Sequence, residues 1–279
     1  LKPVELFHIG PQKSGHTWIY RCLLEHPQIA SPAEDCIYYF DMFYSRGRAW
    51  YEQWFAGAGE QQKLFDPTCT YLRSPWAPRR IARENPDARI ALCMRDPIER
   101  AFSHYWQEKK RNTTTYDFDA VLSNYDLFSS WLETGFYAEH IERFLEHFPR
   151  EQILCQRFED LSGDPERFLT ELLAFYGVDT EFRPAEIHDV VNEASPRWST
   201  LGLGANKLRR GIEGLGLRGV VERSPRLSRW LSGKSEYVRG IPDDLHARLL
   251  EICEPEIERL EKLLDIDLAA WRERTAQDP

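Results

Sequence analysis

Short apolar runs separated by segments of helical spacing set the architecture of this chain. Leu6-Phe7-His8-Ile9, Lys63-Leu64-Phe65-Asp66, Arg89-Ile90-Ala91-Leu92-Cys93-Met94 and Gln152-Ile153-Leu154-Cys155 have the length and content of strands buried on both faces. Between them, residues 17–26, 76–84, 97–110, 137–148 and 165–176 read as helices. Pro75 precedes one of these, and Pro97 and Pro165 open two others, where the fixed proline φ suits a first helical turn. Leu245, Leu249, Ile252, Ile257, Leu260 and Leu264 recur at helical spacing, with Pro255 placed to start a second helix. Strands alternating with helices of this length predict an α/β fold, a central parallel sheet flanked by helices on both faces. Ligands in such folds bind at the carboxyl ends of the strands.

The pattern fails between residues 192 and 240, where Gly, Ser, Arg and Lys predominate, including Gly202-Leu203-Gly204 and Gly211-Ile212-Glu213-Gly214-Leu215-Gly216. A segment of that length and composition reads as a flexible lid or a surface loop. With 279 residues and 42% hydrophobic content, residues 1–279 are expected to form one large domain. The net charge of -9 argues against nucleic acid as a partner through bulk electrostatics. No apolar run of about 18 residues occurs, and no basic stretch leads into an apolar one near the start. A soluble, cytoplasmic protein without a membrane span is the expectation.

Cysteines 22, 36, 69, 93, 155 and 253 are scattered without a C-x-x-C pair, and the eight histidines form no H-E-x-x-H cluster, so no metal is expected. The chemistry concentrates in two loops. After the first strand, Gly10-Pro11-Gln12-Lys13-Ser14-Gly15-His16-Thr17-Trp18 runs into a helix whose apolar face includes Ile19, Leu23 and Leu24. Backbone N–H groups at such a helix start attract anions, and a lysine stands at the head of the loop. The order departs from G-x-x-x-x-G-K-[ST], because the lysine precedes the glycine. A plain turn with a helix cap accounts for the same residues. After the third strand, Arg95-Asp96-Pro97-Ile98-Glu99-Arg100 opens another helix, two turns into which lies Ser103. Arg95 offers a planar fork to a phosphate and Ser103 one more donor, while a structural arginine–aspartate turn is the other reading.

Together the two loops resemble the sulfotransferases that use 3'-phosphoadenosine 5'-phosphosulfate (PAPS), especially the heparan sulfate N-sulfotransferase type and its bacterial relatives. Tyr38-Tyr39-Phe40-Asp41, Asp66-Pro67-Thr68-Cys69-Thr70-Tyr71, Phe158-Glu159-Asp160-Leu161 and the ending Ile257-Glu258-Arg259-Leu260-Glu261 extend the likeness in the expected order. The resemblance implies a P-loop-like three-layer sandwich. It also implies that Lys13, Ser14, Gly15, His16 and Thr17 bind the 5'-phosphosulfate, with Trp18 near the adenine. Arg95 and Ser103 would hold the 3'-phosphate, and Phe158 would stack. His16 replaces a usual threonine, and Phe158 stands where cytosolic relatives often have tyrosine.

The mechanism implied is in-line sulfuryl transfer to a hydroxyl or amine of a small-molecule or carbohydrate acceptor, without a metal. Lys13 would neutralise charge on the departing oxygen. In the heparan-type enzymes an acidic residue precedes the aromatic pair, and ungapped matching puts Cys36 there. The base is therefore ranked as Asp35, then Glu34, then Asp66. Tyr38, Phe40, Asp66 and Tyr71 are the candidates for the acceptor side. A P-loop kinase-like phosphotransferase and a non-catalytic nucleotide-binding protein on the same fold are the alternatives.

Overall fold

A computed structural model describes residues 2–185, 187–188 and 240–273. Five parallel strands form the centre: β1 (Leu6–His8), β2 (Ile29–Ala30), β3 (Lys63–Asp66), β4 (Arg89–Met94) and β5 (Ile153–Arg157), in the spatial order β2-β3-β1-β4-β5. The register pairs Leu6 with Phe65 on one side and with Arg89 on the other, and carries β4 along β5 from Ile90–Ile153 to Met94–Arg157. The chain builds outward from β1 to one side, then crosses to β4 on the other. That reversal opens a crevice beyond the carboxyl ends of β1 and β4, where the two loops singled out above emerge.

Both sheet faces are buried, which is why the strands read as apolar runs without alternation. Phe7, Leu64, Ile90, Leu92, Met94 and Ile153 point into the larger core. Against it pack α3 (Ala77–Glu84), α4 (Pro97–Arg111), α5 (Tyr137–Leu145) and α8 (Asp243–Leu264), and the short α2 (Arg48–Glu52) adds Tyr51. Leu6, Phe65, Ala91 and Cys93 point to the other face, which α1 (His16–Leu24) and α7 (Pro165–Tyr176) cover with Ile19, Leu23, Leu169, Leu172 and Leu173. A further helix, α6 (Phe158–Gly163), follows β5 directly. Three layers result, as expected.

The element boundaries follow local chemistry. Asp96 caps α4 by accepting from the amides of Ile98 (2.7 Å) and Glu99 (3.1 Å), and Pro97 follows it. Asp164 and Pro165 repeat the device at α7, which ends at Gly177 with φ 65°. Three expectations need correction. The pair Ile29–Ala30 forms the edge strand β2, too short to carry a periodic signal. β5 starts at Ile153, not Gln152, because the Gln152 backbone closes a 3-10 turn, its amide donating to the Pro149 carbonyl (2.9 Å). Pro255 starts no helix; it lies inside α8, whose buried Leu249, Cys253, Ile257 and Leu260 hold one continuous face against the core. Burial worth about 1.5–3 kcal/mol per large side chain offsets a proline penalty of about 3 kcal/mol. The segment expected as a lid, 192–240, lies outside the described residues save for Gly240.

Candidate active site

The loop after β1 is shaped by backbone requirements. Gly10 has φ 108°, and a Cβ there would sit 2.1 Å from the Cys69 carbonyl oxygen, so only glycine fits. Gly15 has φ 82° and is pressed against Leu161 and Phe158 of α6. Lys13 itself adopts φ 74°, a left-handed conformation uncommon for a non-glycine residue. The helix that follows has Gly15 at its cap position, no side-chain cap and no acidic residue in its first turn. Its leading amides therefore face the crevice with the positive end of the helix dipole unanswered.

A cavity of about 560 Å³ occupies this crevice. Lys13, Gly15, His16, Thr17 and Trp18 line one wall, and Arg95, Ser103 and Phe158 line another. Asp35, Cys36 and Tyr38 line the cavity as well. Arg95 is positioned from three directions: its guanidinium donates to the Lys13 carbonyl (3.3 Å), pairs with Glu99 (3.7 Å) and lies 4.7 Å over the Phe158 ring. Its backbone is gripped by the Tyr137 hydroxyl, which donates to the Arg95 carbonyl at 2.7 Å. Arg100, fully buried in α4, reaches the Gln12 carbonyl and the Trp131 carbonyl, bracing the loop from beneath.

The electrostatics are strongly positive. Burial, then Lys110, Arg95, Arg111 and Arg100, pulls the Lys13 pKa down to about 8. A lysine depressed by like charges lowers its energy by gaining an anion, so the cluster is built for one. His104, on the same wall, is driven to about 3 by burial and by Arg100, Lys13 and Arg73, and stays neutral. Asp35 behaves oppositely: a contact of 3.7 Å with His16 Nε2 holds its carboxyl below the usual carboxylate range, leaving it ionised at neutral pH.

Several expected site residues are placed elsewhere. Glu34 is exposed and does not line the cavity. The Ser14 side chain is fully buried and outside the cavity lining, so its backbone amide is the group it can offer a ligand. The Trp18 indole donates to the Ile187 carbonyl (3.2 Å) and meets the edge of Phe168, which fixes it in the core at the cavity wall. Phe40, Asp66 and Tyr71 are buried in the core and do not line the cavity, a correction to their expected contact with an acceptor and to Asp66 as a base.

The physical reason is a saturated network beneath residues 37–40. Asp66 accepts from the hydroxyls of Tyr51 (2.7 Å), Tyr71 (3.0 Å) and Thr68 (2.6 Å) and from the Thr68 amide (3.0 Å). Those four bonds use the carboxylate's acceptor sites. The Thr68 hydroxyl in turn accepts from the amides of Ile37 and Tyr38, and the Tyr71 hydroxyl from those of Tyr39 and Phe40. Four consecutive backbone amides are thus fastened to one buried carboxylate, which fixes Tyr38 and the adjacent Cys36 and Asp35.

Gln12, Cys69, His104, Gln107, Glu108, Arg111 and Thr113 also line the cavity and were not singled out from sequence. The helical period held part of the signal: Gln107 and Arg111 follow Ser103 at i+4 and i+8, and Glu108 follows His104 at i+4. Among the described residues, no group of three or more His, Cys, Asp or Glu could hold a metal ion. No described helix is long and apolar enough to cross a membrane.

The chain is similar to known proteins. The human bifunctional heparan sulfate N-deacetylase/N-sulfotransferase 3 is 32% identical over 197 residues, covering 64% of this chain and 23% of that protein. The mouse heparan sulfate glucosamine 3-O-sulfotransferase 3A1 is 30% identical over 176 residues, covering 61% and 44% respectively. The chain thus spans less than half the length of these relatives. A sulfotransferase from Alicyclobacillus acidocaldarius superposes with a TM-score of 0.72 over 98% of this chain and 100% of its own, at 23% identity, and so shares the fold. The Sulfotransferase domain family matches residues 3–198, which include all five strands and every cavity residue named above, and the chain belongs to that family.

Proposed function

We propose that this chain transfers a sulfuryl group from PAPS to a hydroxyl or amine of a carbohydrate or small-molecule acceptor. The observation that carries the proposal is Lys13: a cation in a strained left-handed conformation at the head of an uncapped helix start, with Arg95 joined to its carbonyl. A donor with phosphate groups at both ends fits such a site. The amides at the start of α1, with Thr17 and His16, would hold the 5' end. Arg95 and Ser103 would hold the 3'-phosphate, and the Phe158 ring, already beneath the Arg95 guanidinium, offers a flat apolar surface.

The donor supplies an activated sulfuryl group, and the chain's own residues do the rest. Lys13 neutralises negative charge as it develops on the leaving oxygen, the kind of preorganised stabilisation that contributes most to transfer of this type. Asp35, ionised and on the cavity wall, accepts the acceptor's proton. The buried Asp66–Thr68–Tyr71 network holds that wall in register, and the similarity to heparan sulfate sulfotransferases makes a sugar acceptor the first class to examine.

The test is transfer of radiolabelled sulfuryl from PAPS to a panel of amino sugars, heparan-type oligosaccharides and phenols. Labelled product from wild type and none from Lys13→Ala is the expected result. Label on no acceptor, with phosphoryl transfer from ATP instead, would replace the proposal by the phosphotransferase reading.

A further inference from the structure

Two thiols face each other on the acceptor side of the cavity. Cys36 Sγ and Cys69 Sγ are 3.4 Å apart, and both residues line the cavity. They come from different loops: Cys36 follows Asp35 and precedes the pinned Ile37–Phe40 segment, whereas Cys69 follows β3, its carbonyl pressed against Gly10. Cys36 is half-buried and reachable from the cavity, and Cys69 is buried behind it. The bond from Cys69 holds the Cys36 thiol below its ordinary pKa, while the same contact and burial push Cys69 well above. Cys36 is thus the attacking sulfur and Cys69 the resolving one.

We infer that Cys36 and Cys69 form a reversible thiol–disulfide site that takes a small organic disulfide and, once oxidised, arrests transfer at the neighbouring acceptor wall. The Cys36 thiolate attacks one sulfur of the small disulfide, whose S–S bond breaks to release one thiolate and leave a mixed disulfide on Cys36. Cys69 then loses its proton and attacks the Cys36 sulfur, forming the Cys36–Cys69 bond and expelling the second thiolate. Two protein thiols are oxidised and one small disulfide is reduced to two thiols. Closing 3.4 Å to the bond length of about 2.05 Å draws the two sulfurs, and the loops that carry them, toward each other, the sulfurs by about 1.4 Å.

That movement falls beside Asp35, whose carboxylate meets His16 of the anion cradle. A misplacement of about 1 Å at a reacting group can cost about 100-fold in rate. Donor binding rests on Lys13, the α1 amides, Arg95 and Ser103, which belong to the loop-and-helix segments that follow β1 and β4. Turnover is therefore the property most exposed to the crosslink, and bisphosphate affinity the least. This consequence rests on sulfuryl transfer as proposed above; the crosslink itself does not.

The experiment incubates wild type, Cys69→Ser and Cys36→Ser with glutathione disulfide, then cleaves after glutamate. That cleavage isolates Cys36 on the peptide 35–52 and Cys69 on the peptide 61–84. In wild type the two peptides become joined, turnover falls by about tenfold or more, adenosine 3',5'-bisphosphate affinity changes by less than about twofold, and dithiothreitol restores the starting state. Cys69→Ser gives no joined peptide and carries glutathione on Cys36 instead, the first step trapped. Cys36→Ser gives neither product. Failure of the two wild-type peptides to join in excess glutathione disulfide overturns the proposal, as does a joined peptide with undiminished turnover. A joined, reversible crosslink in a protein with no transferase activity in either state would support the thiol site and count against the transferase reading alone.

Discussion

Raising the pH should loosen adenosine 3',5'-bisphosphate from the site by an amount set by one residue. Burial and four neighbouring cations hold the Lys13 pKa at about 8 instead of 10.5 in the unliganded protein. A bound phosphate supplies the missing counter-charge and returns the ammonium toward 10.5, so binding above pH 8 takes up a proton. Affinity is then flat below pH 8 and falls by up to about tenfold per pH unit above it, giving binding about tenfold weaker at pH 9 than at pH 7. The ligand contributes little to this slope, since the second phosphate pKa of about 6 lies below the range. Titration calorimetry at the two pH values measures it, with Lys13→Met as control: weaker binding at both, and no slope. Equal wild-type affinity at the two pH values, or the same slope in Lys13→Met, would refute the reasoning. The stability effect has the opposite sense. A lysine with a depressed folded pKa costs stability while charged, and that cost fades as pH rises from about 8 toward 10.5. Lys13→Met should therefore resist urea better than wild type at neutral pH while binding the bisphosphate less well.

Asp66→Asn replaces acceptor positions with an amide donor facing the Tyr51 and Tyr71 hydroxyls, and should cost about 2–3 kcal/mol in urea unfolding; a loss under about 0.5 kcal/mol would contradict the network's role. Arg95→Ala should weaken adenosine 3',5'-bisphosphate by about 10- to 100-fold while leaving adenosine 5'-phosphate nearly unchanged, and equal losses for both ligands would separate Arg95 from the 3'-phosphate. Asp35→Asn should lower kcat by about 100-fold or more with bisphosphate affinity retained; full turnover would move the base elsewhere. Gly10→Ala forces a Cβ onto the Cys69 carbonyl at positive φ, and a thermal-unfolding loss below about 1 kcal/mol would show that the loop can give way there.

The geometry of the candidate anion cradle was legible because its requirements are local. A strand end, a glycine at positive φ, a lysine and an uncapped helix start all fall within a dozen residues, and Arg95 and Ser103 sit on the neighbouring strand's outgoing helix. Four of the five strands were readable too, β4 most clearly because Ile90–Met94 is apolar throughout in a sheet covered on both faces, whereas the two-residue β2 gave no signal. The acceptor wall was not. Asp66 and Tyr71 have the polar groups of binding residues, and nothing local reveals that Asp66 is consumed by Tyr51, Thr68 and Tyr71, or that the Thr68 and Tyr71 hydroxyls take up the amides of residues 37–40, some thirty positions earlier in the chain. The approach of Cys36 to Cys69 depends on the same long-range pairing. Asp35 already ranked above Glu34 in the sequence, but its place in the cavity lining and its contact with His16 need the loop laid across the start of α1.

The central claim is a site built for an adenosine nucleotide with phosphate at both its 3' and 5' positions. Calorimetry of the wild-type protein with adenosine 3',5'-bisphosphate against ATP, each with and without magnesium, tests it directly. The account predicts bisphosphate binding about 100-fold tighter than ATP and indifferent to magnesium, the difference being the charge-assisted bonds of Arg95 and Ser103 to the 3'-phosphate. Magnesium-dependent binding of ATP that matches or exceeds the bisphosphate would contradict it.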